Sequence, residues 1–134
     1  MSDLIEVQLK RVVLQHKDEQ QFIYLEEKDG DRNFPIVIGF NEAAEIRRKL
    51  IGEENARPMT HDLIIRVMQS LNFELTKVII SELRDATFYA ALVLEHEDEE
   101  KYVDCRPSDA IALAVQTGAR VFVARKVLDE VAPD

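Results

Sequence analysis

The sequence predicts a single α+β domain with a mixed, largely antiparallel sheet, an N-terminal β-meander and about four helices. Two observations carry this prediction. Apolar and β-branched residues form strand-like segments separated by short polar turns. Segments with apolar residues at helical spacing are grouped between those strands instead of alternating with them one by one. This order favours an α+β architecture over a doubly wound parallel sheet.

The N-terminal part predicts three strands. They run from Leu4 to Leu14, from Phe22 to Glu26 and from Phe34 to Ile38, where apolar and β-branched residues are frequent. The polar residues 16–20 and 29–31 are typical of the turns between antiparallel strands. We expect this meander to be scaffold.

A first helix is predicted from Glu42 to about Leu50. Asn41 is a candidate N-cap for it, and Gly52 is typical of a residue that ends a helix. Helical spacing gives an inner face of Ala43, Ile46 and Leu50. It places the basic cluster Arg47, Arg48 and Lys49 on the outer face, where solvation is the favoured interpretation over a binding patch.

The remaining elements follow from the same patterns. An amphipathic second helix carries an apolar stripe that faces the core, and a later helix is apolar nearly all round and should be buried. The stripe of the second helix is Leu63, Ile64, Val67, Met68 and Leu71. Two strands follow, Glu74 to Leu83 and Thr87 to Glu95, with a tight connection at 84–86 and an acidic turn at 96–100 after them. The last predicted elements are strand Tyr102 to Cys105, the buried helix around Ala110 to Val115, strand Val121 to Ala124 and a helix from Arg125 to about Val131.

Composition limits the classes of protein. The 134 residues fit one globular domain, and no apolar run is long enough to cross a membrane or to serve as a signal-peptide core. One cysteine, Cys105, cannot form an internal disulfide. We therefore expect a soluble, cytoplasmic protein with no membrane partner. The formal net charge of -9 repels a polyanion over most of the surface, so phosphate chemistry needs a local positive site or a metal.

Two short stretches concentrate polar chemistry. Residues Arg57 to Asp62 and residues Asp104 to Asp109 each place an Arg-Pro pair before a hydroxyl residue and an aspartate, where an apolar helical pattern begins. A helix N-terminus offers unpaired N–H groups and a partial positive charge, which favour an anion such as phosphate.

These stretches contain the groups that phosphodiester cleavage needs. His61 is a candidate general acid or base. Arg57 and Arg106, with the hydroxyls of Thr60 and Ser108, are candidates for holding the substrate phosphate. The carboxylates are candidate ligands for Mg²⁺ or Mn²⁺ and complete the proposed catalytic set with His61. They are Asp62, Asp104 and Asp109.

The same residues have a structural interpretation. Thr60 and Ser108 are ordinary helix N-caps, and Asp62 and Asp109 lie in a first helical turn, where negative charge is favourable. The two arginines could pair with the aspartates across the stretches and lock the two helix starts together as a clasp. Both interpretations stay open on the residues alone, because ion-pair networks and active sites use the same groups.

The pattern also resembles a known family, the bifunctional nuclease family. The resemblance rests on Pro35 to Ala43, the two Arg-Pro stretches, Thr87 to Ala90, and the helix that runs on to Ala114. It covers residues 4–131 of the single domain 1–134.

The resemblance implies an α+β domain that forms a homodimer and a nuclease that acts on RNA and DNA. The family's motif positions fall on Arg57, Thr60, His61 and Asp62, and on Asp104, Arg106, Ser108 and Asp109. It also suggests that Cys105 is a packing residue. Two functions therefore remain: a metal-assisted phosphodiesterase, or a non-catalytic binding or regulatory domain in which the Arg-Pro stretches form a clasp or an anion pocket.

Overall fold

Seven strands and four helices follow one another in residues 3–53 and 60–133, which are the residues that the computed structural model describes. The predicted α+β class and the number of helices are confirmed. In chain order the elements are β1 (Leu4–Val13), β2 (Gln21–Glu27), β3 (Asn33–Ile38), α1 (Phe40–Leu50), α2 (Thr60–Ser70), β4 (Glu74–Arg84), β5 (Thr87–His96), β6 (Glu99–Cys105), α3 (Pro107–Thr117), β7 (Arg120–Ala124) and α4 (Arg125–Val131).

The strands form one sheet in the order β3-β2-β1-β7-β4-β5-β6. Strands β1, β2 and β3 form the predicted meander, and β4, β5 and β6 form a second one. Strand β7 joins the two, antiparallel to β1 and parallel to β4. The sheet is therefore mixed and largely antiparallel, as the sequence predicts.

Helix α3 lies at the centre of the packing. Most of it is buried, although its last two residues are exposed, and it packs against α1 and against the sheet. Its alanines allow α1 and the sheet to lie close to α3, because a methyl side chain takes up little space between two backbones. The buried residues of α3 are Ser108, Ala110, Ile111, Ala112, Leu113 and Ala114.

The connection between β4 and β5 is the tight turn that the sequence predicts. Asp85 and Ala86 form its two-residue loop, and both have positive φ, at 51° and 63°. This is the pattern of a type I′ hairpin turn, whose twist matches that of the flanking strands. The acidic turn after β5 is shorter than predicted, since the strands extend to His96 and resume at Glu99.

The start of α1 differs from the prediction. Gly39, not Asn41, is the N-cap residue, and no side chain caps this end. A Cβ atom at Gly39 would meet the carboxylate end of the Glu42 side chain, which is flexible enough to move aside. Gly52 has a φ of 74°, which agrees with the predicted end of the helix.

The predicted faces of the first two helices are only partly correct. In α2, Met68 is buried, whereas Leu63 and Val67 are exposed, as is Leu71 just after the helix. In α1, Leu50 is also exposed. Tertiary contacts override the helical pattern here because one side of α2 packs on α3 and β4 while its other apolar residues face outward. Within the described residues, no helix has the length and apolar character needed to cross a membrane.

Candidate functional site

Asp109 joins the two Arg-Pro stretches. Its Oδ1 atom lies 3.1 Å from Nε2 of His61, at the start of α2. Arg106, the N-cap residue of α3, donates from Nε to Oδ2 at 2.9 Å and from NH2 to Oδ1 at 3.1 Å. Because His61 and Arg106 share one carboxylate oxygen, their side chains lie side by side. We call His61, Arg106 and Asp109 the Asp109 cluster.

A fourth residue completes the surroundings of Arg106. Its NH1 atom donates to Oε2 of Glu42 in α1 at 3.1 Å. Sequence reasoning did not find Glu42, because 64 residues separate it from Arg106 and no local spacing links them. Helices α1, α2 and α3 therefore all contribute to the cluster.

The charges within the cluster are mutually stabilising. Burial raises the pKa of Asp109, but the hydrogen bonds and charges of Arg106 and His61 lower it by more, so the pKa lies below its ordinary value. The pKa of Arg106 is raised by its hydrogen bond to Asp109, by that charge, and by Glu42. Asp109 is thus held ionised and accepts hydrogen bonds only. Nε2 of His61 must then be the protonated nitrogen in this contact.

Asp62 occupies a different environment. Its Oδ1 atom accepts from Nζ of Lys49 at 3.2 Å and from Nε2 of Gln116, near the end of α3. Lys49 also lies 3.3 Å from Oε2 of Glu45, and its side chain is only 10% exposed. We call Lys49, Asp62 and Gln116, together with Glu45, the Lys49 cluster.

The Lys49 cluster corrects the interpretation of the basic residues as a solvated face. Only Arg47 is exposed, whereas Arg48 and Lys49 both pair with the buried carboxylate of Glu45. Burial raises the pKa of Glu45, but the hydrogen bonds and charges of Arg48 and Lys49 lower it by more, so the pKa lies below its ordinary value. The signal was present in the sequence, since these pairs have the i,i+3 and i,i+4 spacing of helical ion pairs.

The other predicted site residues have varied positions. Thr60 is the exposed first residue of α2, and Arg57 lies outside the described residues. Ser108 is the second residue of α3, so its interpretation as an N-cap is wrong and Arg106 takes that place. Arg106 pairs with Asp109 of its own stretch, and the link between the stretches is made by His61 instead.

Asp104 is not brought to the cluster. It is an exposed residue of β6, and its neighbour Cys105 packs against the core. Because adjacent strand residues point to opposite faces, the Asp104 side chain is directed away from the core face that α3 covers. Among residues 3–53 and 60–133, no hydrogen bond or ion pair joins Asp104 to His61, Asp62 or Asp109.

A cleft of about 410 Å³ opens beside the Asp109 cluster. It lies between β3, the β4–β5 turn and the start of α3. Arg106, whose side chain is 63% exposed, and Ser108 line one side of it. The opposite walls are largely apolar and include Val37 and Phe88.

The carboxylates do not form a ready metal centre within the part of the chain that the structure describes. No group of three His, Cys, Asp or Glu side chains there is placed to hold a metal ion. Asp62 and Asp109 are instead neutralised by Lys49 and Arg106, respectively.

Cys105 behaves as a packing residue. It contacts the hydrophobic core, and burial, with smaller effects of nearby Asp109 and Asp104, raises its pKa to about 12. Its thiol therefore stays protonated at neutral pH and is a poor nucleophile.

The fold and the site define a small α+β domain with a charged cluster at the meeting point of three helices, beside an open cleft. The sequence profile of the bifunctional nuclease domain matches residues 23–134, and the chain belongs to that family. The chain is also 38% identical over 123 residues to the uncharacterized protein Rv1829 of Mycobacterium tuberculosis strain H37Rv, covering 92% of this chain and 73% of the relative. The uncharacterized protein MT1877 of M. tuberculosis strain CDC 1551 matches to the same extent.

Proposed function

We propose that this protein hydrolyses phosphodiester bonds in RNA and DNA at the Asp109 cluster. Membership of the bifunctional nuclease domain family supports a nuclease-related role. The observation that carries the proposal is the position of Arg106, an exposed guanidinium fixed at the edge of a cleft, with His61 on the same carboxylate oxygen. This arrangement combines an anion-binding group with an acid–base group.

Arg106 would hold the substrate phosphate. Three of its N–H groups bond to Asp109 and Glu42, and a guanidinium has five, so two donors remain for phosphoryl oxygens. Their positive charge would stabilise the negative charge that develops on those oxygens during attack. Rigid pairing with Asp109 keeps the guanidinium in place before substrate arrives.

His61 would act as the general base. Since Nε2 donates to Asp109, Nδ1 carries the lone pair, and this atom would accept a proton from an attacking water. Asp109 orients the ring and stabilises the imidazolium that forms, as the carboxylate does in other histidine–aspartate pairs. The P–O bond to the leaving oxygen then breaks, and solvent or the imidazolium returns a proton to that oxygen.

The predicted Mg²⁺ or Mn²⁺ has no step assigned to it. Both paired aspartates would first have to exchange Arg106 or Lys49 for the ion. Metal dependence, with Asp62, Asp104 and Asp109 as ligands, stays a prediction that the assay addresses directly.

A structural clasp is the second candidate, and one observation favours it. Asp109 and Asp62 each connect helices through ion pairs and hydrogen bonds, which is how a clasp would fix α1, α2 and α3. In that case the protein would be a binding or regulatory domain, and Arg106 at most an anion pocket. Loss of stability without loss of a measurable reaction would identify the clasp.

The test is a nuclease assay on RNA, single-stranded DNA and duplex DNA, with EDTA, Mg²⁺ or Mn²⁺. Wild type is compared with His61→Ala, Asp104→Asn and Arg106→Gln, all purified in the same way so that a contaminating nuclease appears in every sample. We expect at least a 100-fold loss for His61→Ala. Equal activity in wild type and His61→Ala would reject the proposed site. Unchanged activity of Asp104→Asn would remove Asp104 from the site.

We also propose that the protein is a cytoplasmic homodimer. RNA or DNA would bind to it as substrate. The exposed apolar residues Leu63 and Val67 on α2, with Leu71 just after it, support self-association, because apolar surface patches often mark protein–protein contacts. Analytical ultracentrifugation of wild type and Val67→Glu tests the dimer. A wild-type monomer at micromolar concentration would contradict it.

A further inference from the structure

The cleft beside Arg106 has the size and the mixed lining of a small-molecule site. Its volume of about 410 Å³ lies within the range of small-molecule sites, which are largely apolar with a few polar groups. Val37 is 54% exposed on one wall. Phe88, which stacks on the buried Phe34 with 5.9 Å between ring centroids, is half-buried on another.

Ser108 offers a second polar group to a ligand in the cleft. The residue is 94% buried and lines the cleft. Among the described residues its hydroxyl is not one of the enclosed polar atoms that lack a partner, so it is open to the cleft, where a ligand could take the place of water. Arg106 lines the cleft as well, so both groups can reach one ligand.

The free edge of the sheet supplies further polar groups. Strand β3 is the end strand, and residues 35–38 of it line the cleft. An edge strand presents backbone N–H and C=O groups that no neighbouring strand pairs. These groups suit the hydrogen-bonding edge of a planar heterocycle, whereas the apolar walls suit its faces.

We infer that this cleft holds one unpaired nucleotide of a single-stranded nucleic acid, with the base between Val37 and Phe88 and its phosphate on Arg106 and Ser108. The inference rests on the proposed function and narrows its substrate class. A base in a duplex is stacked and paired on its hydrogen-bonding edge, so it cannot enter such a cleft without being flipped out. An unpaired base can enter and stack on an aromatic ring. Single strands are therefore the preferred substrates.

Binding to the purified full chain tests the inference without relying on catalysis. Calorimetric titration with adenosine 5′-monophosphate is compared with adenosine and with inorganic phosphate. The mononucleotide should bind at least tenfold more tightly than either part, because base and phosphate contribute together. Equal binding of inorganic phosphate and the mononucleotide would overturn the base site.

Two variants locate the bound nucleotide. Val37→Glu adds a negative charge to the cleft wall, and Ser108→Ala removes the hydroxyl with little change in volume. Each should weaken mononucleotide binding at least fivefold. The matched controls are Val103→Glu on the other edge strand and Ser81→Ala on β4, which lie outside the cleft lining. Equal weakening by the controls, or none by Val37→Glu and Ser108→Ala, would overturn the assignment.

A parallel hydrolysis assay separates this inference from the proposed function. Wild type should cleave a single-stranded oligonucleotide at least tenfold faster than the same sequence as a duplex, and Val37→Glu should lose that preference. Equal cleavage of both forms, unaffected by Val37→Glu, would overturn the cleft and leave the nuclease proposal standing. Nucleotide binding that depends on Val37 and Ser108, in a protein without hydrolysis, would reject the nuclease and support the cleft.

Discussion

Two of the three aspartates of the Arg-Pro stretches, Asp62 and Asp109, occupy equivalent places in the first turn of a helix, but they have different surroundings. Asp62 faces Lys49, an ammonium group that is 10% exposed and already bonded to a second buried carboxylate. Asp109 faces Arg106, which is 63% exposed and lines a cleft. Both aspartates connect helices, but among the described residues only Asp109 also positions an accessible cation. We therefore propose that the Lys49 cluster is structural and that the Asp109 cluster carries the chemistry.

Asparagine at each aspartate tests this division most strongly. Asp109→Asn removes the charge that orients His61 and fixes Arg106, so we expect kcat/KM on a single-stranded oligonucleotide to fall about 100-fold or more. Asp62→Asn should lower the thermal midpoint while activity at 25 °C stays within about threefold. Circular dichroism confirms that both variants are folded. Equal losses of activity would break the comparison and give both aspartates the same role.

Replacing Lys49 tests the structural half of the comparison. Lys49→Met leaves Glu45 with Arg48 alone in a buried position and removes a partner of Asp62, so the free energy of unfolding should fall by about 3 kcal/mol. Urea denaturation measures the change. The control is Lys101→Met, which breaks an exposed pair with Glu99 and should cost less than about 1 kcal/mol. Similar values for the two variants would contradict the assigned importance of the Lys49 cluster.

Glu42 offers a smaller test of the chemical half. Its carboxylate competes with any anion for Arg106, so Glu42→Gln should raise the affinity for inorganic phosphate about threefold, the effect of one exposed ion pair. Calorimetric titration measures this affinity. Glu99→Gln is the matched control, because the carboxylate of Glu99 pairs with Lys101 and not with Arg106. A lower affinity in Glu42→Gln would mean that Glu42 positions Arg106 and does not compete for it.

The smallest expected effect is on the acid side of the stability profile. Because the pKa of Asp109 is lowered from 3.8 in the folded protein, its contribution to stability is fully present above that value. The contribution is lost as the pH falls through the lower folded-state pKa, where the unfolded chain already holds the proton. Asp109→Asn should therefore make the free energy of unfolding less steep in pH below 3.8. An unchanged slope would mean that the charge of Asp109 stabilises nothing.

Strand and helix positions were largely predictable from sequence because they depend on local periodicity. The meander, the buried α3 and the turn at Asp85 and Ala86 all follow from alternation, spacing and length. The sequence predicted that His61, Arg106 and Asp109 belong to one site, but it did not predict which of them pair. Glu42 was not, because that contact depends on how α1 packs against α3 and no periodic pattern records it.

The inward position of Lys49 was missed for a related reason. A lysine on a helix is usually solvated, and the pattern of α1 favoured that outcome. Burial of Glu45 overrides it, since a buried carboxylate needs a cation nearby. Leu63 on α2 is the opposite case: it belongs to a predicted apolar stripe, but no described residue of this chain buries it.

The turn between β4 and β5 has a consequence for the cleft that it borders. Asp85 and Ala86 both adopt left-handed backbone conformations without glycine, and Ala86 lines the cleft. A side chain makes that conformation costly, so the pairing of β4 with β5 must hold the turn in place. The sheet therefore fixes that wall before a ligand arrives, and binding would lose little conformational entropy in ordering it.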